Sequence, residues 1–355
     1  MDPDPQSPIP NPQSPFPVPA TIDFLRDTLK YALKRGALIA AANWPVVIVQ
    51  EIADSLFKVL LAMPLVGGIF LVALVLGAEP VALMSLGWRD LIATIIGSLI
   101  SRPVVLTAFL AAMSVVIVGG SLFVFLVKAG TVSVLVRGDH AAGPIERPPL
   151  HFSTVMTASA FSLEHFEAGA RSLFPRYARL GIALITIYFV SGAAYVGAVL
   201  ASRNAGDSWG MTALLTAGFV AWITILNFVY LLVQIVIAAE DCNVTTAARR
   251  AGQFVRRARG PVAAVFLVVL GIVVFATGAS LMATAALGLI SFVPLLGLTV
   301  LPLQLAAWLF RGLVFQYVAL SSIGAYLKLY RSSSATADGV VFADWAAESA
   351  HRDSR

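Results

Sequence analysis

Long apolar runs with little or no charge alternate along this chain with short basic segments. A hydrocarbon core of about 30 Å needs roughly 20 helical residues at 1.5 Å rise each. Six runs meet that length: 55 to 77, 103 to 127, 179 to 201, 211 to 239, 261 to 286 and 303 to 327. Helix-compatible sequence already begins at Pro45, so the start of the first span must protrude or tilt. Basic, partly apolar segments at 22 to 40, 153 to 177 and 243 to 259 precede alternate spans. In the second, Phe161, Phe166, Ala170 and Phe174 can share one helical face while charges occupy others, as in an interfacial helix.

The pattern therefore predicts an all-α polytopic bundle, six transmembrane helices with amphipathic interfacial helices, in three units of leading helix plus hairpin. Phe174, Arg176, Ala178, Arg179 and Phe254, Arg256, Ala258, Arg259 repeat the spacing F-x-R-x-A-R. The first unit keeps only Arg35-Gly36 before its apolar run. An ancestral repeat explains the likeness, and so do the similar basic flanks of any such protein.

Composition agrees with a bilayer solvent. With 59% hydrophobic residues, 12% charged residues and a mean hydropathy of +0.87, the chain lacks the polar surface to cover a water-soluble globule. Its net charge of +5 forms no continuous stripe, which argues against nucleic acid as a partner. Most of its 24 basic residues fall in alternate compartments, with Arg89, Arg102 and Arg203 on the other side, so both termini are expected in the cytoplasm. The expected location is a bacterial inner membrane. One cysteine, Cys242, excludes an intrachain disulfide, and the scattered histidines have no metal-ligand spacing. No cofactor is expected.

Residues 1–20 form a Pro-rich region with two copies of Pro-Gln-Ser-Pro, read as a disordered tail. Residues 21–330 form the membrane domain, and a polar tail follows from 331 to 355. Asp2 and Asp4 stand where a secretory signal is positive, so insertion through the first span is expected.

Glu240-Asp241-Cys242-Asn243-Val244, followed by Ala247, Ala248, Arg249, Arg250 and a basic junction into an apolar span, resembles a recurring segment of YciC-type bacterial inner-membrane proteins. It also resembles the membrane domain beside some glycerophosphodiester phosphodiesterases. Lys128-Ala129-Gly130 fits the same layout, so the likeness covers roughly 21 to 330. It implies a six-helix membrane protein of a family with no settled activity. The Pro-rich head and polar tail depart from that pattern, and neither can hold a phosphodiesterase domain.

Arg311 is the costliest residue to bury, at about 2.5–3.5 kcal/mol on insertion scales. It lies roughly 24 Å of helix from Lys328, and is expected to snorkel outward or meet Glu79 or Asp90. Glu51 and Asp54 enter from the opposite side, so a direct pair with Arg311 is not expected. Gln50, Glu51, Asp54 and Lys58 read as a solvated face, the alternative being a cavity that binds an ion or headgroup. Glu240 and Asp241 read as caps of the following helix. Asn227, Gln234, Gln304 and Gln316 read as hydrogen-bonding residues between helices. Ala193, Gly197, Ala201 and Ala276, Ser280, Thr284 read as small faces for close helix contact.

No phosphate loop, zincin helix or G-x-S-x-G elbow appears, and no carboxylate pair lies within an apolar span. The expected protein is non-enzymatic. Arg176, Arg179, Arg256, Arg257 and Arg259 are the candidate contacts for anionic lipid headgroups, with a membrane-protein partner or a second copy as further partners. The other reading is a transporter of a small solute or lipid using Arg311.

Overall fold

The computed structural model describes residues 21–76, 87, 90, 97, 100–146, 152–204, 209–291 and 296–353. Their regular structure is helical: α1 (Thr21–Ala42), α2 (Trp44–Leu76), α3 (Pro103–Ala141), α4 (Phe152–Met156), α5 (Leu163–Asn204), α6 (Trp209–Glu240), α7 (Val244–Arg257), α8 (Arg259–Ser291) and α9 (Leu296–Asp353). Among the described residues, 5 helices are long and apolar enough to cross a membrane, namely α3, α5, α6, α8 and α9. The first expected span falls in α2, which reaches the limit of the described residues at Leu76. The Pro-rich residues 1–20 lie outside them. The polar tail from 331 is continuous with α9 as far as Asp353.

The helices close into a ring. Each hairpin packs on itself, α2 with α3, α5 with α6, α8 with α9. The returning helix of each hairpin then packs on the leading part of the next unit: α3 on α5, α6 on α7, and α9 back on α1. This cyclic order is what three leading-helix units would build, and it gives the threefold reading a spatial form.

Two of the leading segments differ from expectation. The first break falls at Asn43 instead of Arg35-Gly36, because the Asn43 side chain donates to the Ile39 and Ala158 carbonyls and accepts from the Ala160 amide. That set of bonds anchors the turn to the segment after α4. The segment from 153 to 177 is not one helix: α4 ends at Met156, and α5 starts at Leu163 and runs through Pro175 into the span. Only the third break, at Ala258 between α7 and α8, lies inside its F-x-R-x-A-R motif.

Close helix contacts form where glycines meet backbone, and not on the expected small faces. A Cβ on Gly36 would strike the Ser321 carbonyl and the Ala325 amide, and Gly324 faces Gly36 across the same crossing. Gly130 meets Phe166 in the equivalent α3–α5 crossing. Gly197, by contrast, has open space around it, and Ala193 and Ala201 are exposed.

The buried residues gather at one end of the ring. They include Ile39 and Val46 from the first unit, Val132 and Leu135 of α3, Tyr177 of α5, Ile235 and Ile237 of α6, Phe254 of α7 and Tyr326 and Leu327 of α9. Tyr177 donates to the Gln234 carbonyl at 2.9 Å, and Phe228 packs edge-on to Phe266 and Tyr326 at 5.0 and 5.6 Å. The other end presents Phe189, Val196, Phe275, Met282 and Phe310 outward, as a lipid-facing surface does.

Candidate functional site

Four polar constellations organise the ring, and the largest was absent from the sequence reading. Arg35 of α1 is 6% exposed, yet its guanidinium is fully engaged. Nε donates to Asp139 Oδ1 at 2.5 Å, one terminal nitrogen to Glu146 Oε2 at 2.7 Å and the Gly143 carbonyl at 2.5 Å, and the other to the Asp139 carbonyl at 2.8 Å. Arg331 of α9 holds the second Asp139 oxygen, and Lys328 reaches Glu146 at 3.0 Å. Two carboxylates and three cations thus clamp α1, the end of α3 and α9 together. Gly143 adopts φ +52°, a left-handed conformation that suits glycine and turns its carbonyl toward Arg35.

Burial alone would lower the Arg35 pKa, but the hydrogen-bonded Asp139 and Glu146 carboxylates outweigh it and hold the guanidinium above its ordinary value. For Glu146, burial pushes upward, while backbone, Lys328 and Arg35 contacts together hold the carboxyl below its ordinary range. Sequence pattern marks Arg35 only as the flank of an apolar run. Asp139 and Glu146, seven residues apart just past an apolar run, were the available signal.

The helix 2 stripe is split by burial. Gln50 and Glu51 are buried, so the solvated-face reading fails for both. Gln50 accepts from the Thr131 hydroxyl at 3.2 Å. One Glu51 oxygen accepts from Ser55 at 2.9 Å, and the other is buried without a hydrogen-bond partner among the described residues. Asp54 and Lys58 are more exposed and pair at 2.6 Å, as their i, i+4 spacing predicts. The depth expectation for Glu51 also fails: its carboxylate presses on Gly312, the neighbour of Arg311 in α9. Tight crossing of α2 and α9 brings them level, although no ion pair joins Glu51 to Arg311.

Arg311 is exposed and lines a groove between α8 and α9. The cavity has a volume of about 630 Å³ and is lined by Ala276, Ser280, Ala283, Gln304, Trp308 and Phe315 among others. The Ala276, Ser280, Thr284 face therefore borders a cavity instead of closing a helix contact. The guanidinium lies 5.5 Å from the Phe315 ring centre. Among the described residues no carboxylate pairs with it; Asp90 makes no such contact, and Glu79 lies outside them.

The basic junctions form the fourth constellation. Arg176 pairs with Asp241, and Arg250 and Tyr330 both engage Glu240. Glu240 and Asp241 are therefore cross-links and not helix caps; Asn243 occupies the cap position of α7, and Asp241 turns the chain with φ +49°. Burial pushes the neighbouring Cys242 thiol above its ordinary pKa, with Asp241 adding to that and the backbone and Arg176 opposing, so it is a poor nucleophile. Arg179, Arg256, Arg257 and Arg259 are exposed and make no ion pair with a described residue. In α7, Ala247, Ala251 and Phe254 face inward, leaving the arginines outward.

A scan against protein-family models, a search of curated proteins and a search of solved structures each found no match.

Proposed function

We propose that this is a non-enzymatic membrane protein of six spans whose basic end lies in the cytoplasm of a bacterial inner membrane and holds anionic lipid headgroups. The observation that carries the reading is a division of labour among cations. Arg35, Arg331, Lys328, Arg176 and Arg250 are taken by carboxylates, while Arg179, Arg256, Arg257 and Arg259 are exposed at the mouths of apolar helices. Exposed cations at a membrane surface attract anionic lipid at about 1 kcal/mol each. Arg176 contributes least, since Asp241 already neutralises it. The likeness of residues 240–250 to YciC-type proteins fits this reading and adds no activity to it.

Spin-labelled phosphatidylglycerol in reconstituted bilayers tests the assignment. Arg256→Glu, Arg257→Glu and Arg259→Glu together should reduce its motionally restricted fraction toward that of phosphatidylcholine. Unchanged selectivity, with insertion intact, overturns it.

A second reading, transport of a small solute or lipid, is favoured by the cavity at Arg311 and by the oxygen of buried Glu51 that has no hydrogen-bond partner among the described residues. Solute or lipid movement across proteoliposomes that is abolished by Glu51→Gln would support it over the headgroup role.

A further inference from the structure

The α8–α9 groove joins two features. Its walls are mainly alanine, leucine, valine and aromatic side chains, and one cation stands among them. Arg311 has no described carboxylate to neutralise it, and its nearest compensation is the Phe315 ring at 5.5 Å. A cation–π contact of that kind contributes about 0.5–2 kcal/mol, short of the cost of an unpaired arginine in hydrocarbon. An anion is the group whose charge complements it.

Its shape follows from the lining. One guanidinium matches one planar monoanion through two parallel hydrogen bonds, the geometry arginine offers a carboxylate. One mainly apolar groove of about 630 Å³, running beside Arg311, has room for a hydrocarbon chain and falls within the range of about 300–1,000 Å³ usual for small-molecule sites. We infer that the groove binds a long-chain carboxylic acid, its head on Arg311 and its chain along the Ala276, Ala283 and Trp308 walls. Trp308 lies one turn from Arg311 on the same face, so the chain passes its indole. This site is separate from the headgroup contacts at the basic junctions and stands or falls without them.

Brominated stearate tests it in the purified full-length protein, because bromine quenches a tryptophan it touches. The Trp308 signal is obtained as the difference between the wild-type chain and Trp308→Phe. Quenching of that signal by the acid, competed by unlabelled stearate and about tenfold weaker for its methyl ester, is expected. Arg311→Gln should weaken the acid by at least about tenfold and leave the ester unchanged, while Arg311→Lys keeps part of the preference. Ala283→Phe fills the groove with Arg311 intact and should abolish quenching by both. Equal quenching by acid and ester, an unaltered Arg311→Gln variant, or full binding by Ala283→Phe each overturns the assignment. The Arg256, Arg257, Arg259 triple variant should bind stearate as the wild type does.

Discussion

The two ends of this ring are built from the same residue types and packed on different principles. At the basic end the buried clasp answers charge with charge across the fold: Arg35 with Asp139 and Glu146, Arg331 with Asp139. At the other end apolar side chains such as Phe189, Phe275 and Phe310 face outward, and Arg311 stands beside a cavity without a described acid. The difference is one of solvent. In hydrocarbon, apolar packing between helices gains little over contact with lipid, so glycine crossings and polar clasps carry the association. The buried clasp and the Gly36–Gly324 crossing lie at the end where the buried residues gather.

The strongest way to break this contrast is to remove the hub of the clasp. Arg35→Ala leaves Asp139 and Glu146 buried, at 3% and 5% exposure, with part of their compensation gone. Breaking a buried pair in this way costs about 3–5 kcal/mol, and thermal unfolding in detergent should show a large fall in Tm. Arg311→Ala, at the open end, should move Tm little in the absence of ligand. Equal shifts in the two variants would remove the distinction between the ends.

Acid attacks the same clasp more gently. Glu146 has a folded pKa below its ordinary value, so its contribution is present above the ordinary carboxylate range and is lost as pH falls through the folded pKa. Unfolding midpoints should therefore drop as pH is lowered below about 4.5, and Glu146→Gln should flatten that dependence. Arg35 adds no slope in this window, because its raised pKa lies far above it.

Glycine crossings come next. Gly36→Val would drive a side chain into the Ser321 carbonyl and the Ala325 amide, both backbone groups that cannot rotate away. Overpacking of this sort costs about 1–3 kcal/mol. Gly197→Ala meets open space and should be neutral or stabilise the helix by up to about 1 kcal/mol. Chemical denaturation of the two variants compares a contact with its absence.

The sequence made the membrane-capable helices legible because a span is a local property, an apolar run of sufficient length. Asp54 with Lys58 was legible for the same reason, four residues on one helix. The clasp was not, since Arg35 lies 104 residues from Asp139 and 111 from Glu146, and only the packing of α1 against the end of α3 brings them together, with α9 adding Lys328 and Arg331. Glu51 was misjudged in depth because linear distance along α2 says nothing of how steeply α9 crosses it. Small-residue spacing misled at Ala276, Ser280 and Thr284: it permits close approach, but whether a neighbour approaches depends on the opposite helix, which there carries Trp308 and Arg311. The Arg311 site was half visible, its charge plain and its cavity not.

The smallest effect gives the sharpest control on the comparison. Asp54 and Lys58 form an ion pair at 2.6 Å, close in length to the 2.5 Å pair of Arg35 and Asp139, but their side chains are 31% and 54% exposed. Exposed i, i+4 pairs contribute about 0.3–0.5 kcal/mol, because solvent screens the charges and already satisfies each group when its partner is removed. Lys58→Ala should therefore lower stability by no more than about 0.5 kcal/mol, and raised salt should erase even that, while the Arg35→Ala deficit persists in the same buffer. A Lys58→Ala loss as large as that of Arg35→Ala would mean that burial is not what separates the two pairs. The nearby Lys128 ammonium, within electrostatic reach of Asp54, would then be the next group to substitute.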